Sequence, residues 1–152
     1  MNEPAHDGGT EPPQAAAIPV RLIGTEGVRV CLIRRKSSSK WGIPKGYIDP
    51  GDSWAQAALD EADEEAGVLG HVLGESIGTY DYNKGDVSPT VAVFLMEVLE
   101  ERTSWREMRW RERRWCSVEE ASELLKNHRV WPMFDRIAPS LAPMSSNPRP
   151  SG

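Results

Sequence analysis

Positive charge is missing from the middle of this chain. No lysine or arginine occurs between Lys45 and Lys84, yet nine carboxylates lie there: Asp49, Asp52, Asp60, Glu61, Asp63, Glu64, Glu65, Glu75 and Asp81. Other absences narrow the class. Cysteine is limited to Cys31 and Cys116, too few for a disulfide framework, so both are expected to be reduced thiols in a cytoplasmic protein. No apolar run reaches the length of a membrane span, and the N-terminus carries no signal-peptide pattern. His6, His71 and His128 show no metal-ligand spacing and receive no role. A net charge of −5 argues against general nucleic-acid binding. At 152 residues the chain is long enough for one domain with a real core.

Five of the nine carboxylates fall within six positions, Asp60-Glu61-Ala62-Asp63-Glu64-Glu65. Crowded like charges raise one another's pKa and oppose folding. A helix stabilised by its own ion pairs would alternate signs at i and i+4, and this one does not. A cation among the oxygens explains the cluster best, and hard oxygen donors favour magnesium, calcium or manganese. Upstream, Trp41-Gly42-Ile43-Pro44-Lys45-Gly46-Tyr47-Ile48-Asp49-Pro50-Gly51-Asp52 reads as a structured loop. Ser53 with Gln56 fits a capping box that opens a helix near Trp54, and Gly67 fits its C-terminal stop. On that helix Glu61, Glu64 and Glu65 stand at i, i+3 and i+4 and share a face. Ala58 and Ala62 suit close packing against a sheet on the other side. A loop followed by converging carboxylates is a cradle for a divalent metal.

At these residues the sequence resembles the Nudix hydrolase family. Its signature is Gly, five residues, Glu, seven residues, then Arg-Glu-aliphatic-x-Glu-Glu-x-Gly-aliphatic. Here Gly46 is followed by five residues and Asp52, and seven more lead to Asp60-Glu61-Ala62-Asp63-Glu64-Glu65-Ala66-Gly67-Val68. Asp52 replaces the family's Glu and Asp60 its Arg; the second change reverses a charge. The resemblance implies an α/β/α sandwich with a mixed β-sheet, magnesium or manganese as cofactor, and Glu61, Glu64, Glu65 and the Gly46 carbonyl as metal ligands. Glu64 is the first candidate for the general base, with Glu61 beside it. The family's arginine is expected to pair with carboxylates and orient the helix. Asp60 cannot do so, which implies a slow enzyme or an arginine recruited from elsewhere, with Arg109–Arg114 as the source.

The loop Trp41-Gly42-Ile43-Pro44-Lys45-Gly46 is further similar to Nudix enzymes that cleave diphosphoinositol polyphosphates and diadenosine polyphosphates. So is the downstream order of Trp105, an arginine-rich strand, Trp115 and Val118-Glu119-Glu120-Ala121. Basic residues flank the acidic stretch, with Arg34, Arg35, Lys36, Lys40 and Lys45 before it and Lys84, Arg102, Arg106, Arg109, Arg111, Arg113 and Arg114 after. Metal in the middle and cations at the rim suit a polyphosphate; Lys45, Arg34 and Lys36 are its expected contacts. Trp41 and Trp115 fit core or rim packing better than base stacking. Hydrolysis of nucleoside triphosphates or sugar nucleotides, and ligand binding without turnover, are the alternatives. A calcium loop and a P-loop are excluded by spacing.

The remaining elements follow from pattern. Strands are expected at Ala17–Ile23 and Val28–Arg34 around the turn Gly24-Thr25-Glu26-Gly27, at Val72–Tyr82 with glycine breaks, at Thr90–Leu99 and at Arg109–Ser117. Ser117 with Glu120 forms a capping box for a second helix through Lys126, and Val130–Ile137 reads as a third. Residues 1–16 read as a flexible lead-in, 17–138 as the domain and 139–152 as a disordered tail.

Overall fold

The computed structural model describes residues 12–22, 27–82, 85 and 88–145. Lys84 and the expected turn residues Gly24, Thr25 and Glu26 lie outside the described residues. The described chain forms one seven-stranded mixed sheet. The strands are β1 (Gln14–Leu22), β2 (Val28–Arg35), β3 (Lys45–Tyr47), β4 (Val68–Val72), β5 (Gly78–Asp81), β6 (Thr90–Glu101) and β7 (Arg111–Ser117). The main path runs β4-β6-β1-β2-β7, with β3 paired to β1 and β5 to β6. Only β1 and β6 run parallel, with Ala16 opposite Val93 and Val20 opposite Glu97; the other pairs are antiparallel.

Strand β1 sits in the middle and is buried on both faces, so its residues alternate between two cores. Ala16, Ile18 and Val20 join Leu32, Val93, Leu125, Phe134 and Leu141 under α2 (Val118–Leu124) and α3 (Trp131–Ser145). Ala15 and Ala17 face the other way, toward Trp54, Ala58, Ala62 and Ala66 of α1 (Trp54–Glu61) and its continuation. Helices on both faces of a mixed sheet make the α/β/α sandwich that the resemblance implied.

Local chemistry sets most boundaries. Ser53 Oγ accepts the Gln56 N–H at 3.0 Å and opens α1; the Gln56 side chain, rather than closing a capping box, donates to Asp60. Ser117 and Glu120 make both halves of their capping box. Two expectations about the ends are corrected. Strand β1 takes in Gln14, Ala15 and Ala16, because their backbone pairs with both β3 and β6. Helix α3 runs past Pro139 to Ser145, into the segment read as a tail, because Leu141 is buried against the core. The expected strand Val72–Tyr82 holds as strand only at Val72, the last residue of β4, and at Gly78–Asp81, with Leu73 and Ile77 bonded to β6 between them; β4 begins earlier, at Val68 directly after Gly67. Cys31 and Cys116 are free and buried.

Ala58, Ala62 and Ala66 are fully buried where the acidic helix meets β1. Small side chains let helix and sheet backbones approach. Ala62→Leu should therefore overpack this layer and cost about 1–3 kcal/mol or more, read as a lowered urea midpoint with an unchanged slope.

Candidate active site

The acidic helix does not stay α-helical to its end. After Glu61 the backbone widens into a π turn over Ala62–Ala66, and Gly67 closes it in the left-handed conformation at φ 68°. Short π segments occur frequently at functional sites. A side chain at Gly67 would strike Trp105 and Arg113, whose nearest atoms lie 2.8 Å from the position of its Cβ. The wide turn is held from outside. Arg113 donates to the Ala66 carbonyl at 2.9 Å and stacks on the Trp105 ring at 4.0 Å. Trp105 Nε1 donates to the Glu65 carbonyl at 3.1 Å, and the Glu107 N–H to the Glu64 carbonyl at 3.0 Å.

Glu61, Glu64 and Glu65 open into a cavity of about 720 Å³ together with Gly46, Lys45, Gln14, Glu107 and Arg111. Glu65 is only 7% exposed. Its Oε1 accepts the Lys45 N–H at 3.2 Å, and Arg111 lies 3.5 Å from Oε2. Burial, with Glu61 and Glu107 nearby, pushes its pKa up to about 8 although Arg111 pulls the other way. Burial also raises Glu61, with Glu64 as the next contributor. The Glu61 carboxylate covers Gly46 so closely that a methyl group there would run into it, which is the physical demand for glycine at that position. Glu64 faces Arg106 at 3.3 Å. Asp49 and Glu107 bring the carboxylates lining the cavity to five; Glu107, unlike Asp49, stands outside the acidic stretch, and no spacing signal marks it. Gln14 is also unforeseen: it is buried at the cavity wall and its Oε1 has no partner.

Among the described residues, no three His, Cys, Asp or Glu side chains converge closely enough to hold a metal ion as they stand. Glu64 is paired with Arg106, and Glu65 with Arg111 and the Lys45 backbone N–H. The donor set nevertheless fits a hard divalent cation. It consists of oxygens only, two of its carboxylates are pushed toward their neutral forms, both by burial first, then Glu65 by the Glu61 charge and Glu61 by the Glu64 charge, and Gly46 leaves room that a larger residue would fill. A divalent ion would relieve that repulsion.

A second cavity of about 270 Å³ adjoins the first, and Arg35, Lys45, Glu65, Tyr82 and Arg111 line both. Its other residues include Arg34, Lys40, Trp41 and His128. Lys45 Nζ lies 3.7 Å from the Tyr82 ring centroid. Arg34 stacks on Trp41 at 5.1 Å and pairs with Glu112. Lys36 is exposed at the end of β2 and lines neither cavity. Arg114 also lies over Trp41, and Trp115 is tied to Glu101 through Nε1, so packing accounts for both tryptophans.

The fold and this acidic site define a class, and the comparisons agree with it. The NUDIX domain model matches residues 12–137, and the chain belongs to the Nudix hydrolase family. Members of this family generally use divalent metals and act on small phosphate compounds. The chain is 33% identical to Nudix hydrolase 4 of Arabidopsis thaliana over 110 residues, 71% of this chain and 53% of the relative. With Nudix hydrolase 16, mitochondrial, of the same plant it shares 30% over 126 residues, 72% of this chain and 69% of the relative. The chain thus spans about half the length of the first of these relatives. A Caenorhabditis elegans Ap4A hydrolase binary complex superimposes with a TM-score of 0.69 at 21% identity, covering 87% of this chain and 98% of that one; this likeness is one of fold. Among the described residues no helix is long and apolar enough to cross a membrane.

His128, given no role from sequence, is part of the second cavity wall. Its Nδ1 accepts the Val130 N–H at 2.9 Å and its ring meets Tyr80 edge-on. Burial, then the Lys45 charge, holds its pKa down to about 4. The unfolded chain binds this proton near pH 6.5, so the unfolded state carries more protons between those values. Stability from His128 is present above about pH 6.5 and lost as pH falls toward about 4. His128→Asn should flatten this part of the acid-denaturation curve, measured by thermal midpoint against pH.

Proposed function

We propose that this chain is a metal-dependent pyrophosphohydrolase. Its substrate would be small and highly anionic, a diphosphoinositol polyphosphate or a dinucleoside polyphosphate. The observation that carries the reading is the joining of two cavities, one acidic and one basic, with Lys45 and Arg111 lining both. A phosphoanhydride reaches across such a boundary, since its scissile group needs a metal and its remaining phosphates need cations. The fold likeness to an Ap4A hydrolase and the loop around Lys45 favour the extended substrates over a nucleoside triphosphate or sugar nucleotide.

Glu61, Glu64, Glu65 and the Gly46 carbonyl would hold magnesium or manganese. When bound, the ion would supply a water of lowered pKa and screening of phosphate charge. The Glu64 side chain is 36% exposed against 10% for Glu65, and its pairing with exposed Arg106 is easily exchanged. It is therefore free to take the proton of the attacking water. Lys45 anchors the phosphate nearest the acidic cavity, and Arg34 and Arg35 hold those in the basic one. Lys36, which lines neither cavity, has no part in this reading.

Glu64→Gln should lower turnover by about a hundredfold, the scale of losing a principal electrostatic element. Lys45→Ala should raise KM more than it lowers kcat, because the lysine binds ground state and transition state alike. Both are checked with magnesium or manganese against a panel of diphosphates. A strong preference for a nucleoside triphosphate over both proposed substrates would refute the assignment.

A further inference from the structure

The acidic helix supplies none of its own counter-charge; among the described residues the arginines that bond or pair with it come from a single later segment, residues 102–113. Arg102 binds Asp63 at 2.7 Å, Arg106 reaches Glu64 at 3.3 Å, and Arg113 takes the Ala66 carbonyl. The first two pairs are at the surface, and the Arg106 side chain is 72% exposed, so they constrain little. Arg111 differs from them. Its side chain is 15% exposed and lies inside the carboxylate cavity. Its Nε donates to Glu107 Oε1 at 2.6 Å, while its second nitrogen lies 3.5 Å from Glu65 Oε2. Glu107 is itself fixed, because its backbone N–H bonds the Glu64 carbonyl and its carbonyl accepts the Trp110 and Arg111 N–H groups. Asp60, by contrast, faces solvent and accepts from Gln56 at 2.9 Å, and among the described residues no cation pairs with it.

We propose that Arg111 is the positioning residue of this site: anchored on Glu107, its rigid fork fixes the direction of the Glu65 carboxylate that the helix has no cation to fix. A guanidinium presents its donors in one plane, so it can address two carboxylates at once and set an angle between them. A lysine ammonium would balance the same charge without setting that angle. The distinction is chemical. Groups that orient a metal-binding side chain typically change affinity or activity by tenfold to a hundredfold when removed.

The kinetic side of this inference rests on the hydrolase reading; the metal side does not. The test is calorimetric titration of the full chain with Mn²⁺ for wild type, Arg111→Met and Arg111→Lys, with thermal midpoints in parallel. Removing a positive charge from the site should, by Coulomb attraction alone, tighten Mn²⁺ binding. Positioning predicts the opposite sign: about tenfold weaker Mn²⁺ binding for Arg111→Met, and weaker binding also for Arg111→Lys although its charge is kept. If Arg111→Met does not fold, Arg111→Lys decides the matter. Binding as tight as wild type in Arg111→Lys, or tighter in Arg111→Met, overturns the proposal. With an active diphosphate substrate, kcat should fall in both variants with KM little changed. Wild type inactive on every diphosphate tried, with the Mn²⁺ order as stated, would defeat the hydrolase reading and leave this role for Arg111 standing.

Discussion

The controlling constraint in this protein is the burial of like charge. Glu61 and Glu65 are brought together beneath β3, both pushed toward protonation by desolvation first, then Glu65 by the Glu61 charge and Glu61 by the Glu64 charge. Such a pair persists only where surrounding structure holds it and where something cationic can reach it. The rest of the architecture answers that need. Ala58, Ala62 and Ala66 let the helix sit close on β1, strand β3 delivers the Lys45 N–H to Glu65, and the segment after β6 provides the arginines.

That segment does two jobs with one stretch of backbone. Its N–H groups and its tryptophan satisfy carbonyls of the π turn, from Glu64 to Gly67, which would otherwise go unpaired where the helix widens. Its side chains provide counter-charge. A conventional α-helical end would leave those carbonyls to solvent and the arginines without a site. Helix shape and charge balance are thus one feature, and a change at Trp105 or Arg113, which bond the backbone of the turn, reaches the carboxylates without touching them.

The two-sided cavity follows from the sheet. Strands β2 and β7 place Arg35 and Arg111 opposite each other in register, and β3, on the same edge of β1 as β2, places Lys45 and Gly46 at the acidic helix. A carboxylate site and a cationic site separated in sequence become neighbours because three strands are adjacent in space. His128 joins them from the opposite face, between α2 and α3, kept neutral by burial.

The chain by itself determined a great deal. Glycine, glutamate and proline spacing over Gly46–Val68 gave the acidic helix and its glycine stop, since caps and periodicity are local physics. Alternation and capping chemistry located β2, β6 and α2 for the same reason. Tertiary structure decided what depends on contact between distant residues. The π turn is invisible in Ala62–Ala66, because it is set by Trp105 and Arg113. Glu107 and Gln14 carry no motif and became cavity residues only through β6–β7 and β1–β3 neighbours. Lys36, equivalent to Arg34 on charge, lines neither cavity, whereas Arg34 lines the second. Asp60 read as a charge reversal in sequence; only the fold could show Arg111 beside Glu65, because 45 intervening positions and a sheet had to be crossed to bring them together.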